Sequence, residues 1–128
     1  MDKFSIQNIQ KITSLTSELE FEKASSLFLQ LRVLEKEDKS YRPIRNHLRN
    51  LIKDYEKNNW ENEDNITDIQ IKESDLAEEL VQAENEFYFR RKELIKTKLK
   101  EAGLNQNDLA KILGHRKGYM SELINGLR

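Results

Sequence analysis

Apolar residues recur at every third or fourth position along most of this chain, which is the period of an amphipathic α-helix. The clearest example follows Ser17 and Glu20, whose spacing is that of a capping box at a helix start. The helix predicted from there ends near Asp38. Its apolar face consists of Phe21, Ala24, Phe28, Leu31 and Leu34.

A second helix is predicted to begin at Pro43, because proline is well tolerated in the first turn of a helix. Two antiparallel helices are the expected result, and a shorter helix from Asp2 to Ile12, with Phe4 and Ile9 inward, would complete a three-helix layer. The apolar face of the second helix consists of Ile44, Leu48, Leu51 and Tyr55.

The segment from Asn58 to Lys72 is polar and acidic and predicts a linker. Within it, the alternation of Ile69 and Ile71 fits either a short strand or, preferably, an acidic loop with some packing. Ser74 then predicts the N-cap of a long helix over residues 75–102, although a break within residues 85–89 fits the sequence equally well. Its apolar positions are Leu76, Leu80, Ala83, Phe87, Leu94 and Leu99.

Glycine and proline mark where helices are expected to be interrupted. The only proline is Pro43, and all four glycines lie after residue 102. An all-α fold is therefore predicted. We divide it into an N-terminal helical region (1–58), an acidic linker (59–74), and a region (75–128) with the long connecting helix and a C-terminal helical motif.

Charge separates the chain into two parts that its net charge of −1 conceals. Residues 1–89 hold 12 basic and 19 acidic residues, whereas residues 90–128 hold 10 basic and 4 acidic ones. The stretch 54–89 is the most acidic, with 12 acids against Lys57 and Lys72. Such asymmetry predicts different partners for different segments.

Composition also excludes several classes of protein. A chain of 128 residues with 35% charged residues is too small and polar for a large enzyme. It has no cysteine and only two histidines, so thiolate chemistry is excluded, a metal site would rest on carboxylates, and neither a metal nor another cofactor is expected. No apolar stretch has signal-peptide or membrane length, so we predict a cytoplasmic protein. Catalytic activity is not expected, because the sequence has no phosphate-binding glycine loop and no nucleophile motif.

Residues 90–128 predict three short helices. Gly103 is placed to end the first, Asn105 to cap the second, Gly114 to form a tight turn and Gly126 to end the third. Two helices joined by a short turn can place the second helix in the major groove of DNA. The motif reads Leu104-x-Gln106-x-x-Leu109-Ala110-x-x-Leu113-Gly114, followed by Met120-Ser121-x-Leu123-x-Asn125-Gly126.

Over residues 92–128 this motif resembles the XRE/Cro-type helix-turn-helix family. The resemblance implies buried side chains at Leu109, Ala110, Leu113, Met120 and Leu123. It also implies that Gln106 binds a phosphate, assisted by the positive end of its helix. The predicted DNA contacts are Gln106, Asn107, Arg116, Lys117, Gly118, Tyr119, Glu122, Asn125 and Arg128.

Roles follow from side-chain chemistry: Lys117 can donate to guanine, Glu122 can accept from cytosine, and Tyr119 can contact a thymine methyl group or a phosphate. The family usually has two further helices after this motif, whereas this sequence ends at Arg128. The N-terminal helices, a second subunit, or a chain that continues beyond Arg128 are the alternatives for covering Met120 and its apolar neighbours.

A narrower resemblance involves the Leu-x-x-Leu-Ile-x-x-Tyr-Glu pattern of residues 48–56, ahead of a C-terminal helix-turn-helix that contains residues 119–123. This order is similar to the HigA antitoxins. It implies a homodimer that represses its own operator DNA. It also implies that the N-terminal helical region (1–58), together with the acidic segment, binds and silences a basic, messenger-cleaving toxin of the HigB type. The acidic segment would steer toward such a cation, with apolar anchors at Trp60, Ile66, Ile69 and Ile71.

Two other classes fit the sequence. One is a transcriptional repressor without a toxin partner. The other is an interaction protein whose terminal motif does not bind DNA.

Overall fold

The computed structural model describes residues 3–127, except for the side chain of Lys117. Over that range every regular element is helical and no strand is present, which confirms the all-α prediction. The chain forms two compact units, residues 1–82 and 83–128. The α-helices are α1 (Glu18–Glu35), α2 (Arg42–Asn59), α3 (Asp68–Glu101), α4 (Gln106–Leu113) and α5 (Lys117–Ile124).

Helix α1 begins at the predicted cap. The Ser17 hydroxyl oxygen accepts a hydrogen bond from the backbone N–H of Glu20 at 3.1 Å. The Glu20 carboxylate reaches back one residue further than a capping box requires and accepts from the backbone N–H and the hydroxyl of Thr16, both at 2.9 Å. Desolvation alone would raise the pKa of Glu20, but Lys3 and Thr16 together lower it below the usual value.

Helices α1 and α2 are antiparallel, as predicted. Glu35 at the end of α1 accepts from Arg42 Nε at 2.8 Å and pairs with Arg45, so it meets the start of α2. At the opposite end, the Tyr55 hydroxyl donates to Glu18 Oε1 at 2.7 Å. These contacts fix both ends of the helix pair.

The core of the first unit lies between α1, α2 and the N-terminal segment. In α1, Ala24 and Leu31 of the predicted face are buried, whereas Leu27, which the predicted face omitted, is buried as well. Phe21 stacks on Tyr55 with ring centroids 4.9 Å apart. The α2 face is as predicted, with Leu48, Leu51 and Tyr55 buried.

The predicted N-terminal helix is wrong for the described residues of that segment. Residues 3–8 form turns, and only Ile9–Lys11 forms a short 3₁₀ helix. Phe4, Ile9 and Ile12 are nevertheless buried, and Ile12 offers its carbonyl oxygen to His47 Nε2 at 2.8 Å. Apolar residues three apart suit a 3₁₀ turn, in which such positions eclipse, better than an α-helix.

Helix α3 starts earlier than predicted. Thr67, and not Ser74, provides the cap, because its hydroxyl oxygen accepts from the backbone N–H of Gln70 at 3.1 Å. Ile69 and Ile71 therefore lie in the first turn of a helix, and both the strand and the loop interpretation are wrong. Only residues 60–67 separate α2 from α3, and Glu63–Asn65 within them forms a 3₁₀ helix.

Helix α3 is unbroken through residues 85–89, so the alternative with a break there is wrong. The buried side of α3 also differs from the predicted one. Ala77 and Val81 are the buried apolar residues of α3, whereas Leu76, Leu80, Phe87 and Leu94 of the predicted face are exposed. Among the described residues, no helix is both long and apolar enough to cross a membrane.

Candidate nucleic-acid interface

The second unit begins its motif where α3 ends. Gly103 has φ +72°, and the backbone N–H of Leu104 donates to the carbonyl oxygen of Leu99 at 2.8 Å. This is the hydrogen bond of a left-handed helix cap, which glycine adopts without steric cost. The predicted end of the helix at Gly103 is confirmed.

Helix α4 has a reciprocal cap. Asn105 Oδ1 accepts from the backbone N–H of Asp108, and Asp108 Oδ2 accepts from the backbone N–H of Asn105, both at 2.9 Å. At the other end of α4, Gly114 has φ +69° and is the first residue of a three-residue turn that leads to α5. Two eight-residue helices and a short turn are thus present at the predicted positions.

A small apolar cluster joins α4 and α5. Ala110, Met120 and Ile124 are buried together, and Ile95, Leu109 and Leu123 pack against them. Of the positions that the family resemblance implies to be buried, Ala110 and Met120 are buried, whereas Leu109 and Leu123 are only partly buried. Leu113 is 53% exposed, so its predicted burial is wrong. It is the last residue of α4, where the chain turns away at Gly114.

The C-terminal half of α3 closes the motif on its other side. Arg91 Nη2 donates to the carbonyl oxygen of Leu123 at 2.7 Å, and the Arg91 guanidinium lies 4.8 Å from the centroid of the Tyr88 ring. The Tyr88 ring packs so closely on Gly126 that a Cβ there would lie 2.6 Å from its Cδ1. Contacts to α5 therefore come from α3 of the same chain, which was not among the three alternatives considered for covering it.

These positioning residues were not predicted. Arg91 stands in a basic run with Arg90 and Lys92, and nothing in the sequence distinguishes the arginine that caps α5 from its neighbours. Because α5 leaves its last carbonyl groups without helical partners, a cation at its C-terminus is favourable. Arg91 thus fixes the orientation of α5 from outside the motif.

Several predicted DNA contacts lie at helix starts and are accessible. Gln106 and Asn107 are the first two residues of α4, with Gln106 half-buried and Asn107 exposed. Arg116 precedes α5 and is exposed, and Gly118 in its first turn is open, with nothing within 4 Å of a Cβ built there. Tyr119 is half-buried, with its ring 4.7 Å from that of His115.

Two predicted contacts have other surroundings. Glu122 is only 8% exposed, so its carboxylate is not available to accept from a cytosine. Asn125 donates from its side chain to the carbonyl oxygen of Ser121 at 2.8 Å and is half-buried, which ties it to the end of α5. The Lys117 side chain and Arg128 lie outside the described residues.

Charge follows the division into units. Residues 83–128 hold 10 basic and 6 acidic residues, whereas residues 1–82 hold 12 basic and 17 acidic ones. The unit that contains the motif is therefore net positive, as attraction to phosphate requires. The acidic excess lies in the other unit.

The predicted toxin anchors do not form one surface. Trp60 is half-buried, and its indole N–H donates to Glu18 Oε2 at 3.3 Å. Ile66 is half-buried, whereas Ile69 and Ile71 are exposed on α3. Two residues that are two apart on a helix point to nearly opposite sides, so Ile69 and Ile71 cannot contact the same flat partner.

A groove of about 590 Å³ lies beside Trp60 in the first unit. Its walls carry both charge signs, from Lys53, Lys57, Glu56 and Glu61, around the Phe21 ring. Trp60, which lines this groove, donates to Glu18, a buried carboxylate that also accepts from Tyr55. Burial and the hydrogen bond to Glu18 raise the pKa of Tyr55, so its phenol remains a donor.

Within residues 3–127, no group of three or more histidine or acidic side chains is arranged to hold a metal ion. Comparison of the chain with protein-family models, with curated proteins and with solved structures finds no match.

Proposed function

We propose that this protein is a DNA-binding antitoxin that represses its own operon. The observation that carries the DNA-binding part is the geometry of α4 and α5, two short helices joined by a three-residue turn and fixed around Ala110, Met120 and Ile124. In this arrangement α5 enters the major groove and the start of α4 meets the phosphate backbone.

The proposed interface consists of exposed or half-buried groups at the two helix starts. Gln106 and Asn107 contact phosphates, helped by the positive end of α4. Arg116 contacts phosphate, Tyr119 contacts the base edges and Gly118 lets the backbone approach closely, while Lys117 keeps its predicted role as a donor to guanine. Glu122 is not part of this interface because it is buried.

Substitutions separate base reading from phosphate contact. Lys117→Ala is expected to cost about 1 to 3 kcal/mol on the preferred site only. Arg116→Ala and Gln106→Ala are expected to weaken binding to all sequences alike. Fluorescence anisotropy with the DNA upstream of the coding sequence and with a scrambled fragment gives both affinities, and Lys111→Ala, on the exposed side of α4, is the matched control.

The antitoxin part of the proposal rests on the acidic residues at the end of the first unit. Glu61, Glu63 and Asp64 are all exposed around the 3₁₀ helix that follows α2. A negatively charged surface attracts a cationic ribonuclease and competes with its RNA. The chemistry expected of the partner is therefore that of a small basic toxin of the HigB type.

Co-expression with the neighbouring reading frame tests this part. We expect the two products to co-purify and the toxin's growth arrest to be relieved. The triple substitution of Glu61, Glu63 and Asp64 to lysine should abolish capture while leaving DNA binding intact. Glu37→Lys, at another exposed acid of the same unit, is the control for a change of charge alone.

A repressor without a toxin partner is the second candidate. The observation that favours it is the internal role of Trp60, whose indole is held by Glu18 and is not free to act as an anchor. If the triple lysine variant captures the neighbouring gene product as well as the wild-type chain does, and repression is intact, this candidate is favoured over the antitoxin.

A further inference from the structure

The most prominent unexplained feature is a row of exposed apolar side chains along α3. Six residues, separated by seven, four, three, four and seven positions, lie within about 60° of one another around the helix at about 100° per residue. They are all exposed, whereas Ala77 and Val81 are buried on another side. We call this row the α3 stripe: Ile69, Leu76, Leu80, Ala83, Phe87 and Leu94.

Alternating separations of three and four residues are those of a coiled-coil seam, which buries its apolar row against another helix. The row is too long to be scattered surface leucines, since it extends over about 38 Å at 1.5 Å per residue. Exposed apolar rows of this size indicate a contact with another chain.

The spacing of the α3 stripe is the same from either end. Its spacing is symmetric about the point between Val81 and Gln82, so a second copy of α3 running antiparallel would meet it in register. Leu80 would lie opposite Ala83 of the second copy, Leu76 opposite its Phe87, and Ile69 opposite its Leu94. A self-complementary row is what a two-fold symmetric interface requires.

Charge selects the antiparallel orientation. Residues 68–89 of α3 contain seven acids and one lysine, whereas residues 90–101 contain six basic and two acidic residues. In the antiparallel register, residues 68–73 of each helix lie beside the basic residues 90–95 of the other, whereas residues 74–89 of the two copies lie beside each other. Parallel pairing would place like charges together along the whole length, which is unfavourable.

One layer of the seam shows the same complementarity in detail. In the antiparallel register Glu73 lies opposite Arg90 of the second copy. In this structure Arg90 makes only an exposed contact with Glu86 at 3.7 Å, so it can exchange that partner at little cost. Near the centre of the seam, Glu79 of one copy lies beside Glu86 of the second copy, and these two charges repel. The affinity of the dimer therefore comes from apolar contact, and the charges at the helix ends determine its orientation.

We propose that the α3 stripe is the interface of an antiparallel homodimer, with a second copy of this chain as its occupant. The proposal does not depend on DNA or toxin binding. Both assays described above can fail while the dimer is present, and the dimer can fail while DNA is still bound.

Sedimentation equilibrium of the full chain tests the interface. We expect a species of about twice 15.2 kDa at micromolar concentration. Leu80→Glu buries a charge at both central layers and should raise the dimer dissociation constant at least about a hundredfold. Phe89→Glu is the matched control, because Phe89 is 63% exposed on the opposite side of the same helix and should leave the dimer intact.

Circular dichroism should show equal helix content for Leu80→Glu and Phe89→Glu, so that a loss of the dimer is not a loss of the fold. A wild-type chain that remains monomeric at about 100 μM, where helix interfaces of moderate affinity are populated, would overturn the proposal. So would a dimer that Leu80→Glu leaves unchanged.

Orientation is tested separately with a spin label. The chain has no cysteine, so Thr97→Cys gives a single labelled site on exposed α3 surface. An antiparallel dimer places the two labels about 45 Å apart, whereas a parallel dimer places them about 10 Å apart. The short distance would overturn the proposed orientation.

Charge exchange gives a second orientation test. Glu73→Arg or Arg90→Glu alone should weaken the antiparallel dimer, because each puts like charges opposite each other in two layers. The double variant should restore it. Equal dimer stability for all three variants would contradict the register.

Discussion

The two compact units depend on different features for their structure. In residues 1–82, large side chains of α1, α2 and the N-terminal segment fill a core, and buried Glu18 is held by Tyr55 and Trp60. In residues 83–128, a small apolar cluster is supported by glycines with positive φ and by Arg91 at the end of α5. The first unit should therefore be sensitive to lost volume, and the second to lost backbone freedom.

The largest expected effect is that of Leu48→Ala in the first unit. Leu48 is among the largest fully buried side chains, so its truncation should lower the free energy of unfolding by about 2 to 5 kcal/mol. Urea unfolding followed by Trp60, the only tryptophan, reports on this unit. Leu29→Ala is the control, because Leu29 is 59% exposed on α1 of the same unit and its truncation should change the free energy of unfolding by less than about 1 kcal/mol.

Gly126→Ala should have the next largest effect, and it should act on the second unit. Its φ of +73° is strained for any side chain, and the new Cβ would meet the Tyr88 ring, so we expect a loss of about 2 to 4 kcal/mol.

Gly114→Ala separates the two causes, since its φ is +69° but nothing lies within 4 Å of the added carbon. It should cost only about 1 to 2 kcal/mol. Thermal melts followed by helix circular dichroism measure both variants. Equal losses would show that the contact between Gly126 and Tyr88 does not matter.

Tyr55→Phe probes the buried carboxylate of the first unit. The ring can still stack on Phe21, but Glu18 loses its 2.7 Å donor, and we expect a loss of about 1 to 3 kcal/mol. Trp60→Phe removes the weaker donor at 3.3 Å and should cost less. Chemical denaturation followed by circular dichroism ranks the two, and the reverse order would argue against the geometry at Glu18.

The smallest expected effect concerns pH. The hydrogen bond from Arg42, with the nearby charge of Arg45, holds the pKa of Glu35 below its usual value. A lowered pKa stabilises the fold above the unfolded value near 4.5, and this contribution is lost as pH falls through the folded pKa.

Glu35→Gln should therefore lower the melting temperature slightly at neutral pH and leave it unchanged in strong acid. Glu37→Gln, at an exposed position close in sequence, is the control. A difference between Glu35→Gln and the wild-type chain that persists undiminished in strong acid would contradict the assignment.

Part of this fold could be predicted from the sequence. Periodicity, Ser17 and Pro43 locate α1 and α2, and the glycines locate the turns around α4 and α5. The N-terminal segment could not be predicted in this way because its apolar spacing of three is ambiguous between α and 3₁₀ turns. The start of α3 was misplaced because Thr67 and Ser74 are both acceptable caps.

The α3 stripe shows a deeper limit of such patterns. An apolar row identifies the side of a helix that makes contact, but not whether the contact lies within one chain or between two. The same limit applies at Glu122, where a charged residue in a polar helix position is buried by its surroundings. The sequence could suggest the DNA-contacting helix starts, but not that α3 supplies Arg91 to hold α5.

The most direct test of the account is a salt titration of DNA binding by the full chain. Affinity for the DNA upstream of its own coding sequence should fall with a log–log slope of about −0.9 per phosphate contacted. That affinity should exceed the affinity for a scrambled fragment at least about a thousandfold. Arg116→Ala should reduce the slope by about 1. A flat salt response, or equal affinity for both fragments, would contradict the proposed function.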